Sequence, residues 1–201
     1  MKLNCIVPLL LAVFAAPGAL AQSGLTAAEL EALSKGELVA RPLHVRRGSL
    51  DLIGGSSWQR VDAPIDVVWR ALHDVEQYPN LLPNVSASRR VLDASGDLSL
   101  IFVEHGFWPI HSSYYVWLES DSRTWRIDFQ LELRRPHSLK AGWGSVQLVA
   151  RDAGHTIIAW SALVDVGRGV LAALSQTLIQ PWMLRVPSTI KRCVERSRAC
   201  R

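Results

Sequence analysis

At 201 residues, with 49% hydrophobic and 20% charged side chains, the chain has the balance of one globular domain with a real core, and a disordered segment is excluded. It carries no heptad tract, Gly-X-Y period or fixed-length repeat, which removes coiled coils, collagen and solenoids. The net charge of +4 is small and gathered at one end, and no recognition motif accompanies it, so nucleic acid is not an expected partner.

Residues 1–21 read as a cleaved secretory signal: Lys2 supplies the positive start, 6–16 are apolar, and Ala19-Leu20-Ala21 forms an A-x-A exit. The apolar run is too short for a membrane anchor and contains Pro8 and sits beside Pro17. The expectation is an exported protein, periplasmic or extracellular, with a lead-in at 22–51 and the main domain at 52–201. In the lead-in, 25–35 should be a short helix, because Thr26 and Glu29 have capping-box spacing and Gly36 follows. Strand-like pieces come next at 38–40, 52–53 and 58–61. Pro64 then opens a helix whose apolar set Ile65, Val68, Trp69 and Leu72 has helical spacing. A second short helix near Val75 should be stopped by Pro79 or Pro83.

From Ser86 the hydrophobic period changes to two. Strands are predicted at 85–92, 98–103, 110–119, 125–134, 142–151 and 156–164, separated by hairpin-sized turns, as an antiparallel meander. The clearest is 125–134, where Phe129 and Leu131 belong to a dry face and Gln130 and Glu132 to a wet one. After Gly167 the period returns to helical. Leu171, Leu174, Leu178, Trp182, Val186, Ile190 and Val194 make one apolar stripe, which Pro181 and Pro187 should bend without ending. A long helix after a run of strands needs a sheet face to cover its stripe.

This order carries a recognisable motif. V-D-A-P-I-D-V-V-W at 61–69 and D-V-E-Q-Y-P-N-L-L-P at 74–83 resemble the opening of START-like (SRPBCC) proteins, with patterns V-x-A-P-x-x-x-V-W and D-x-x-x-Y-P-x-x-x-P. The polyketide cyclase/dehydrase and coenzyme Q-binding branch is the most similar. The resemblance covers about three-quarters of the chain and implies an α+β helix-grip fold. In that fold a curved antiparallel sheet wraps around a long C-terminal helix, with a cavity between them that takes lipids, quinones or polyketides. It is specific for the fold rather than for any activity. If the cavity is present, the apolar faces predict Trp117, Phe129, Leu131 and Trp143 on its sheet side. Leu174, Leu178 and Trp182 are predicted on its helix side.

No catalytic constellation stands out. The six histidines are scattered without H-E-x-x-H, and there is no C-x-x-C or G-x-S-x-G, so neither a metal site nor a hydrolase triad is expected. The strongest polar cluster is Glu104, His105 and His111 around the loop at 106–109. G-x-G-x-x-A at 167–172 resembles a dinucleotide fingerprint, but no second strand with an acidic end follows. The glycines suit a tight strand-to-helix turn, and no cofactor is expected. The expected function is therefore binding or carriage of a hydrophobic small molecule, ahead of a cyclase/aromatase-type enzyme in the same cavity. A third reading is a module acting through the basic tail, where Arg185, Lys191, Arg192, Arg196, Arg198 and Arg201 oppose Glu195 and suit weak contact with an anionic membrane surface. Helix-dipole complementation explains the same charges. Cys193 and Cys200 are expected to form a disulfide. Seven residues of straight helix would separate their Cα atoms by about 10.5 Å against a tolerance of about 7 Å, so the helix must end near Arg196.

Overall fold

The computed structural model describes residues 24–95, 97–107, 110–167 and 178–196. The expected signal at 1–21 lies outside them. The Thr26 hydroxyl accepts from the Glu29 N–H and the Glu29 carboxylate accepts from the Thr26 N–H, so the reciprocal cap opens α1 (Ala27–Ser34). The rest of the lead-in is β1 (Val39–Arg47), which pairs antiparallel with β2 (Leu50–Val61). The pieces expected at 52–53 and 58–61 are thus one strand, continuous through Gly54 and Gly55. These two residues sit at φ of 149° and 137°, and an added Cβ would lie 1.9 Å from the Ala162 carbonyl oxygen and 2.1 Å from that of Arg41. Only glycine lets the neighbouring strands approach so closely.

Pro64 precedes α2 (Ile65–His73), and a 3₁₀ turn (Val75–Gln77) leads into α3 (Tyr78–Leu81). Pro79 does not stop this helix, because it lies in the first turn, where its missing N–H has no intrahelical partner to lose. The stop is Pro83, whose ring pushes Leu82 into an extended conformation (φ −109°, ψ 138°). Six further strands follow: β3 (Val85–Ser95), β4 (Leu98–Phe107), β5 (Ile110–Asp121), β6 (Arg126–Leu131), β7 (Ala141–Asp152) and β8 (His155–Asp165). Together with the first two they make one curved antiparallel sheet in the order β1-β2-β8-β7-β6-β5-β4-β3. This is the helix-grip α+β architecture expected. β6 is shorter than predicted: Trp125 adopts φ 55° and turns the chain before the ladder begins.

The single long helix expected for the C-terminal stripe is corrected in its described part. The chain forms two helices in series, α4 (Gln180–Leu184) and α5 (Val186–Glu195), separated at Arg185 (φ −87°, ψ −3°). Pro181 and Pro187 sit in the first turns of α4 and α5. Residues 178–179 are already π-helical, however, and the Arg185 N–H still donates to the Pro181 carbonyl at 3.1 Å, so the helical path changes direction without ending, as expected. Leu171 and Leu174 lie outside the described residues. Gln180 anchors α4 by donating to the carbonyls of Leu43 (3.0 Å) and Gly54 (2.8 Å) on β1 and β2. α5 lays Val186, Ile190 and Cys193 against a core that includes Val61, Val68, Leu72, Val75, Leu81, Leu148 and Ile158. The buried Gln59 ties β2 to both ends of the chain, donating to the Gly36 carbonyl and accepting from the Ser188 hydroxyl, each at 2.8 Å. The face pattern of β6 is as read from sequence, with Ile127 and Leu131 buried and Gln130 exposed.

Candidate ligand cavity

Between the sheet and the helices lies a cavity of about 240 Å³. Antiparallel pairing explains its walls, because residues directly opposite one another share a face. Val103 pairs with Tyr114, Val116 with Leu131, and Leu118 with Phe129. All six border the cavity, with Leu72, Tyr78 and Leu81 closing one side and Leu178, Trp182 and Val186 another. Phe129 and Trp160 stack at 5.0 Å with an interplanar angle of 27°.

Among the described residues, no aspartate, glutamate, lysine or arginine borders this space. Its titratable groups among the described residues are Tyr78, His105 and Tyr114. The Tyr78 hydroxyl donates to the Leu72 carbonyl at 2.8 Å, and burial pushes its pKa up. Burial does the same to Tyr114 and pushes His105 down to about 4, so all three are neutral at pH 7. Nε2 of His105 lies 2.7 Å from the Tyr114 hydroxyl, with the rings stacked at 5.6 Å. Two further buried polar atoms on bordering residues, Ser112 Oγ and Trp160 Nε1, have no hydrogen-bond partner. Among the described residues no three potential metal ligands come together.

Of the residues anticipated from sequence, Phe129, Leu131, Leu178 and Trp182 border the cavity. Trp117 does not. It pairs with Gln130, on the wet face, and its indole N–H donates to the Glu132 carboxylate. Trp143 borders the cavity between Gly142 and Gly144, but it too pairs with exposed Gln130, so alternation directs its indole to the outer face. Leu174 lies outside the described residues. In the polar cluster expected around 106–109, only His105 turns inward. Glu104 accepts from Ser86 on the opposite face, and His111 is exposed. The inward group missed in the sequence is Ser112 with Tyr114. An i, i+2 pattern running Ser112, Tyr114, Val116, Leu118 carries it, but Tyr115 and Trp117 make the other face equally apolar in appearance.

At the turn after β8, Gly167 adopts φ 77° and donates its N–H to the Asp165 carboxylate at 2.8 Å, the structural role expected of it. The rest of the 167–172 motif lies outside the described residues. Burial works against the Asp165 charge, yet the N–H groups of Asp51 and Gly167 together with Lys140 hold its pKa below the usual carboxylate value. Cys193 is buried and disulfide-bonded. α5 ends at Glu195, as a short return of the tail requires, and Cys200 lies outside the described residues.

Solved structures share this architecture at low identity. The ZhuI aromatase/cyclase from Streptomyces sp. R1128 superposes with a TM-score of 0.59 at 14% identity, covering 78% of this chain and 95% of that one. A STAR-related lipid transfer protein from Xanthomonas axonopodis gives 0.58 at 14%, covering 77% and 98%. A START superfamily protein from Mycobacterium smegmatis gives 0.60 at 14%, covering 71% and 97%. At this identity the likeness is one of fold. Compared with curated proteins, the sequence has no significant match. Residues 56–196 match the family described as polyketide cyclase / dehydrase and lipid transport, and by that match, over well more than half of its length, the chain belongs to this family.

Proposed function

We propose that this protein binds and carries a hydrophobic small molecule in the cavity between sheet and helices. The observation that carries this reading is a cavity of about 240 Å³ bordered by Phe129, Trp160 and Trp182 and, among the described residues, by no formally charged side chain. Concave, mostly apolar sites with a few convergent polar groups are where small ligands bind. The family description names lipid transport, and the fold is shared with a lipid transfer protein, which supports an apolar ligand. The test is uptake of N-phenyl-1-naphthylamine by the purified protein. Saturable, blue-shifted fluorescence at one probe per chain is expected, and absence of uptake would overturn the reading.

A cyclase/aromatase reading is favoured by one observation, the His105–Tyr114 pair beside the cavity, which could move a proton on a bound polyketide. It requires accelerated formation of an aromatic product from a poly-β-ketone surrogate, with loss of that acceleration in His105→Phe. We further propose that the protein works outside the cytosol, on the strength of the signal-like segment at 1–21. A mature N-terminus at Gln22 in the exported fraction would support this, and full-length protein retained in the cytosol would remove it. The basic tail is proposed at most as a weak contact with anionic lipid, to be read as salt-sensitive vesicle binding.

A further inference from the structure

One end of the cavity is polar, and its polarity is of a single kind. His105 on β4 and Ser112 on β5 are directly paired across the ladder, and Tyr114 is the next inward residue on β5. The three side chains therefore converge from adjoining strands, with Nε2 of His105 2.7 Å from the Tyr114 hydroxyl. Neutral imidazole and phenol carry one polar hydrogen each, and their mutual hydrogen bond uses only one of them. If His105 donates from Nε2, the phenol hydrogen is left over. If the phenol donates, the hydrogen on Nδ1 is left over. The Ser112 hydroxyl, buried beside them, has no partner either. This corner thus holds more hydrogen-bond capacity than the protein satisfies, and unsatisfied buried donors are costly.

We infer that the ligand is a neutral molecule presenting a carbonyl or hydroxyl oxygen to the pole formed by His105, Tyr114 and Ser112, its apolar body lying along Phe129 and Trp160. The inference rests on the carrier reading above and narrows its ligand class. A carboxylate or phosphate would find no cation among the described bordering residues, and burial keeps His105 from becoming one at neutral pH. A pure hydrocarbon would leave the pole unsatisfied. The volume of about 240 Å³ falls just below the range of about 300–1,000 Å³ common for drug-sized ligands. One small ring system or short chain suits it better than a two-chain lipid.

The experiment measures competition against N-phenyl-1-naphthylamine by three naphthalenes of nearly equal size: 2-acetonaphthone, 2-isopropenylnaphthalene and 2-naphthoate. In the wild-type protein the ketone should bind about tenfold more tightly than its hydrocarbon isostere, the worth of about one net hydrogen bond. The carboxylate should bind most weakly. Tyr114→Phe should cut the ketone's advantage to about twofold or less without weakening the hydrocarbon, and Ser112→Ala, a smaller change, should reduce it in the same direction. Equal binding of ketone and hydrocarbon to the wild type overturns the inference and leaves the carrier reading standing. So does preference for the carboxylate, or an undiminished ketone advantage in a folded Tyr114→Phe. Failure of the protein to take up the fluorescent probe and the hydrocarbon overturns both together.

Discussion

Phe129 on β6 and Trp160 on β8 stack across the intervening strand, directly over Gly144 of β7. A Cβ at Gly144 would lie 2.4 Å from Cζ of Phe129 and 2.2 Å from the Ser161 carbonyl oxygen. The ring can swing away, but the carbonyl belongs to the ladder and cannot. Gly144→Ala should therefore destabilise the fold by about 1–3 kcal/mol. A lower urea midpoint with an unchanged m-value is expected, and an unshifted midpoint would contradict the packing described.

Filling the cavity should separate space from packed core. Leu178 borders the cavity, whereas Leu148 is 2% exposed in the core and does not border it. Leu178→Trp should stay folded, with its stability changed by less than about 1 kcal/mol, and lose at least about tenfold in probe affinity. Leu148→Ala should cost about 2–5 kcal/mol and leave probe affinity nearly unchanged if the chain is kept folded. Thermal unfolding beside fluorescence titration reads both.

The outer-face tryptophan makes a complementary prediction. Trp117 contacts Glu132 and not the cavity, so Trp117→Phe should leave probe affinity within about twofold of wild type. Trp160→Leu, which removes half of the stacked pair, should weaken it more. Titration of the two variants side by side decides whether the indole faces are as described.

His105 gives the stability a pH dependence of definite sign. Burial lowers its pKa from 6.5 to about 4, so between these values the unfolded chain binds more protons than the folded one. The contribution is fully present above pH 6.5 and is lost as the pH falls through about 4. Its full size is about 3 kcal/mol. Denaturant midpoints from pH 7 to 4 should decline less steeply in His105→Gln than in the wild type, and parallel slopes would refute the assignment.

The bond at Cys193 is readily checked. Reduction of the protein should add two daltons by mass, and peptide mapping should pair Cys193 with Cys200. An unchanged mass, or pairing between two chains, would exclude that closure.

Local features were legible in the sequence wherever the chain's immediate neighbours determine the outcome. The Thr26–Glu29 cap, the start of α2 after Pro64 and the two faces of β6 depend on contacts within a few residues or on one unambiguous alternation. The motif at 61–83 extended that reading to the whole architecture. The two prolines of the C-terminal segment were visible as well. The place of the break was not: it falls at Arg185, where α4 and α5 separate.

What the sequence could not decide was which face of a doubly apolar strand turns inward. On β5, Tyr114, Val116 and Leu118 alternate with Tyr115 and Trp117, so hydrophobicity alone favours neither set. The register Val116–Leu131 and Trp117–Gln130 selects the first set, because the dry face of β6 must continue across the ladder. The same register carries Trp143 outward and brings His105, Ser112 and Tyr114 to one end of the cavity. Periodicity along one strand thus determines that two faces exist. Only pairing with strands distant in sequence determines which face meets the helices, since a shift of one residue exchanges them completely.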